Sequence, residues 1–105
     1  MFDLPPSADP ELLKTLLAPL LDDFDYWFSR SQVLLESERL EFMAIEEQQR
    51  LLKRVLESLG AVRTMRSLMS ATHAGVEMAV LMEWHRLVHE CWGVSMKHRQ
   101  AQKLE

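Results

Sequence analysis

Apolar residues recur at helical spacing through three long segments of this chain, and few turn-forming residues interrupt them. That pattern constrains the fold more than any other feature. In the first segment Leu12, Leu13, Leu16, Leu17, Leu20, Leu21, Phe24, Trp27, Phe28, Leu34 and Leu35 keep the 3.6-residue period. In the second, Ile45, Leu51, Leu52, Val55, Leu56, Leu59, Val62 and Met69 do the same. In the third, LMEWHRLVHECWGVSMKHR (81–99) places Leu81, Val88, Cys91, Trp92 and Ser95 with Trp84 on one stripe about 100° wide. Beside that stripe lies a second group: Met78, Met82, His85, His89 and Met96. Only three glycines, four prolines and one tyrosine occur, which is few for a β protein. The expectation is an all-α single domain over residues 1–105.

Local signals set the boundaries. Asp9-Pro10-Glu11 is a helix start, with a capping acid, a proline at the first helical position and an acid in the first turn. The first helix is expected over about 10–38, with a kink or a split at Pro19. An acidic turn over Ser37–Met43 leads to a second helix at about 44–71, although Gly60 weakens its interior. Thr72-His73-Ala74-Gly75 reads as the second turn, and the third helix as about 80–102. Three helices joined by short turns imply an up-down-up antiparallel bundle. Helices of this length are about 40 Å long, so the bundle should be elongated. Lys97 and Arg99 would then lie beside Glu36, Glu38 and Glu41.

Composition excludes several functions. The formal net charge is −4, which argues against nucleic acid as the main partner, since phosphate binding needs a basic footprint. A lone cysteine fits a reducing compartment, and no targeting or membrane-spanning segment is visible, so a cytoplasmic location is expected. There is no phosphate-cradling glycine loop and no nucleophile elbow. Cys91 lies on the core stripe and reads as a small hydrophobe. In the cluster Asp22, Asp23 and Asp25, the first and last fall on the solvent side of the helix, while Asp23 falls inside its apolar stripe. The chain is therefore read as non-enzymatic, without a catalytic residue or a cofactor.

PELLKTLLAPLLDDFDYWFSRSQVLLESE and LMEWHRLVHECWGVSMKHR resemble a family of small cyanobacterial proteins of unknown function and of about this length. The resemblance implies a cyanobacterial, soluble, helical protein. The family often has proline where this chain has Glu83, which implies a proper start of the third helix near Met82. It supplies no catalytic residue.

Two functional expectations follow from the apolar surplus. The first helix carries an apolar arc of about 180°, more than one packing face requires, and the third adds its second group. A protein partner or a homodimer that completes the bundle would cover them, with Leu21, Phe28, Met82, His85, Trp92 and Met96 at the interface. The alternative is a metal- or small-molecule-binding protein using His85 and His89. Their i,i+4 spacing puts two imidazoles on one helical face.

Overall fold

The computed structural model describes residues 10–71 and 78–103. Among them are three helices, α1 (Pro10–Ser37), α2 (Ile45–Ala71) and α3 (Met78–Lys103), and no strand. The boundaries lie within two residues of those read from the local signals, and the expected second turn falls outside the described residues. The start near Met82 implied by the resemblance is not seen: α3 is already helical at Met78, and with Glu83 in place of the proline the helix runs through this point without a break. α1 does not split at Pro19. Leu17 and Leu21, on either side of the proline, are both buried in one core, which holds the helix together across the missing amide donor.

The direction of each helix follows from its contacts. Asp22 and Asp25 of α1 meet Arg66 and Arg63 of α2, while Leu35 near the end of α1 meets Gln48 at the start of α2. α1 and α2 are therefore antiparallel. Trp27 meets Trp92, and further along Leu34 and Arg99 line one cavity, so α1 and α3 run parallel. The result is the expected up-down-up bundle, elongated at 54 × 24 × 19 Å. α1 packs against both other helices, and α2 and α3 approach each other less closely. This explains the wide apolar arc of α1: it serves two neighbours. Leu17, Leu21, Phe24, Phe28 and Leu35 from α1 meet Leu51, Val55, Leu59 and Val62 from α2 and Leu81, Trp84, Leu87, Val88 and Cys91 from α3 in one core. Ile45 and Leu56, expected on the packed stripe of α2, are instead exposed.

The α1–α2 corner is built around a buried amide. Gln48 Nε2 donates to the carbonyl oxygens of Leu35 (2.9 Å) and Glu38 (2.7 Å), and Oε1 accepts from Leu40 N (3.1 Å) and from Arg39 Nη1 (3.0 Å). A helix end leaves its last carbonyls without intrahelical donors, and here a side chain from the next helix supplies one. Arg39 also donates to the Leu40 and Met43 carbonyls. Leu40, fully buried, plugs the end of the core beneath them.

Charge placement at that end differs from expectation. α3 does end beside the first turn, where Glu38, Glu41 and Phe42 share a cavity with His98. However, none of the described ion pairs joins Lys97 or Arg99 to Glu36, Glu38 or Glu41. Lys97 Nζ lies 6.0 Å from the centre of the Phe42 ring, and Arg99 turns to the groove between α1 and α3. A ring face competes well with exposed, water-screened carboxylates for a lysine.

The inter-helix ion pairs lie elsewhere. Arg63 Nε donates to Asp25 Oδ2 at 3.0 Å, and this hydrogen bond holds the Asp25 carboxyl below the usual carboxylate range against the opposing effect of burial. Arg54 binds Glu90 through two hydrogen bonds, 2.9 and 2.6 Å, and holds that carboxyl down in the same way. A carboxyl with a lower pKa in the folded chain contributes stability that is complete above its unfolded value and is lost as pH falls through the folded one. Thermal stability should therefore drop between about pH 5 and pH 2, and Asp25→Asn with Glu90→Gln should flatten that slope. Melting curves across this range test it; a double variant with the wild-type slope would remove these two pairs from the explanation.

Candidate interaction surface

Two of the six residues expected at an interface belong to the core. Leu21 and Phe28 are both 0% exposed within the single chain. They lie at the rim of the apolar arc by angle, but α1 is flanked on both sides, so the rim of the arc is covered from within.

The other four lie on the surface. Met82 is 52% exposed, Met96 53% and Trp92 37%, and His85 is exposed as well. The helical repeat puts them on the side of α3 that borders α1 and opens to solvent. Leu16 of α1, 50% exposed, adds to this side, as do the half-buried Trp27 and Leu34. The opposite border of α3, facing α2, carries Glu83, Arg86 and Glu90 and is polar.

Aromatic rings cross from one helix to the other on the apolar side. His85 and His89 stand on successive turns with ring centres 4.6 Å apart. His89 meets the edge of Trp92 at 4.9 Å, Trp92 meets Trp27 of α1 at 5.3 Å, and Trp27 meets Tyr26 at 5.1 Å. The last three contacts are edge-to-face, the arrangement that ring quadrupoles favour. Arg30 closes the row. Its guanidinium lies 5.7 Å from the centres of both Tyr26 and Trp27, and Nη1 donates to the Tyr26 hydroxyl at 2.9 Å.

Beside this row a groove of about 470 Å³ runs between the helices. Trp27, Leu34, Trp92 and Met96 give it apolar walls, while Arg30 and Arg99 stand at its rim. An apolar groove with a cationic rim on a chain of net charge −4 is a local reversal of the overall charge. The role of Trp27 in this surface was hidden in the sequence among the core positions of α1, and that of Arg30 and Tyr26 among its polar ones. Only the contact with Trp92, 65 residues away, brings them together.

His85 and His89 are adjacent, as their spacing implies, but among the described residues no group of three or more His, Cys, Asp or Glu could hold a metal ion. Cys91 is buried, accepts a partner in the Ser31 hydroxyl, and has its thiol pKa pushed up chiefly by burial, the opposite of what a nucleophile needs. Asp22 and Asp25, expected on a solvated face, are the α1 partners of Arg66 and Arg63.

A family model described as "Protein of unknown function (DUF2605)" matches residues 7–100. No curated protein and no solved structure matches.

Proposed function

The chain belongs to the family of unknown function DUF2605, and on that premise we propose that it is a non-enzymatic, cytoplasmic helical module for protein–protein contact, acting through the α1–α3 surface. One observation carries the reading: Leu16, Met82, Trp92 and Met96 leave large apolar side chains in water on the same side of the bundle. Monomeric proteins seldom keep a contiguous apolar patch of more than a few hundred Å². Methionines and tryptophans are also the residues that adapt to, and anchor, a protein partner. Among the described residues no helix is long and apolar enough to cross a membrane, so a bilayer-spanning role does not account for these side chains.

A metal-binding role through His85 and His89 ranks second. Their 4.6 Å ring separation favours it, but two imidazoles fall one short of the three protein ligands of an open zinc site.

The test uses Met82→Glu together with Met96→Glu. Both side chains are half exposed, so the variant should stay folded and helical. Light scattering of the purified chain and pull-down from the source cell should both show association by the wild type that the variant loses. Equal association by both proteins would reject the surface.

A further inference from the structure

Two charges on the α1 side of this surface do not suit a plain apolar face. At 100° per residue, Leu16, Asp23, Trp27, Arg30 and Leu34 fall within about 60° of one another on the side of α1 that borders α3. Asp23 and Arg30 are both exposed, and neither forms an ion pair with a described residue. Arg30 lies over aromatic rings instead. An acid and a base are thus set into one apolar seam at almost equal distances from Trp27, four residues before it and three after.

We infer that this surface is covered by a second copy of the same chain, docked antiparallel about a two-fold axis beside Trp27, with Asp23 of each copy against Arg30 of the other. The inference rests on the reading of the α1–α3 surface as a contact face and names its occupant. In a two-fold contact each residue's partner also meets that residue's counterpart, so complementary charges must occur in pairs related by the axis. An antiparallel axis midway between 23 and 30 makes two such pairs at once. A parallel pairing of the two α1 helices would instead put Asp23 against Asp23 and Arg30 against Arg30. Trp27 touches Trp92, so the axis also brings the α3 borders together around Trp92. Burial of the apolar side chains supplies the affinity, and the two charge pairs select direction and register.

Charge reversal tests the register. Sedimentation equilibrium on the full chain compares wild type, Asp23→Arg, Arg30→Asp, an equal mixture of those two variants, and Met96→Glu, with circular dichroism to confirm that each is helical. Wild type should be a dimer. Each charge variant alone sets like charges together twice and should dimerise at least about tenfold more weakly. In the mixture every charge meets its opposite, so a mixed dimer should form with close to wild-type affinity. A dimer that Met96→Glu breaks but the charge variants do not, or charge variants whose mixture stays monomeric, overturns the antiparallel register and leaves the contact surface standing. A dimer indifferent to Met96→Glu overturns both. A wild type that is monomeric at high micromolar concentration overturns the second copy as occupant, and the pull-down then judges the surface on its own.

Discussion

Replacing Phe28 with alanine should destabilise the folded chain by about 3–5 kcal/mol. The ring is fully buried at the centre of α1, stacked on Phe24 with centroids 6.1 Å apart and planes 12° apart. Its removal would lose apolar burial and leave a cavity in a core that α1 shares with both other helices. A domain of this size is stable by only about 5–15 kcal/mol, so the loss is a large share of the total. Chemical denaturation of Phe28→Ala beside Val33→Ala gives the comparison. Val33 lies on the same helix but is 66% exposed, and its change should stay within about 0.5 kcal/mol. If the two variants lost stability equally, Phe28 would have to be returned to the surface.

Gln48→Ala should cost about 2–4 kcal/mol, a large effect for a polar residue in the first turn of a helix. The change removes a buried amide that makes four hydrogen bonds, and it strips partners from the Leu35 carbonyl and the Leu40 amide at the corner. Each buried group left without a partner costs about 1–3 kcal/mol. Gln48→Glu should also destabilise at neutral pH, because an ionised carboxylate would face the Leu35 and Glu38 carbonyls with no proton to donate. That loss should shrink as acid protonates the new side chain. Gln49→Ala, one position along and exposed, is the control. A Gln48→Ala variant as mild as Gln49→Ala would show that the corner holds without the amide.

These two residues mark how far the sequence could be read. The three helices were legible because each keeps a 3.6-residue apolar stripe, and Pro10 and the acidic turn after Ser37 bounded the first of them closely. The use of each stripe was not legible. An arc of about 180° on α1 suggests surplus surface, but it also arises when one helix packs against two neighbours that approach each other less closely. Leu21 and Phe28 are core for that reason, whereas Met82, Trp92 and Met96, on a helix with a narrower load, remain outside. Contacts that depend on register between distant segments left no local trace. The bond from Gln48 back to Leu35 spans thirteen positions, and the Arg63–Asp25 pair spans thirty-eight. Asp23 was conspicuous as an acid inside an apolar stripe, but its relation to Arg30 emerges only once Trp27 and Trp92 are seen to share a face.

The claim that a second copy covers the α1–α3 surface is tested most directly at the methionine methyl groups. Met82 and Met96 are half exposed on that surface, while Met69 is buried in the core and serves as an internal reference. Carbon-13 methyl spectra recorded across a dilution series should show the Met82 and Met96 resonances moving, or exchanging between two positions, as dimer gives way to monomer. The Met69 resonance should stay in place. Met82 and Met96 resonances that do not change from the lowest concentration to the high micromolar range would contradict it.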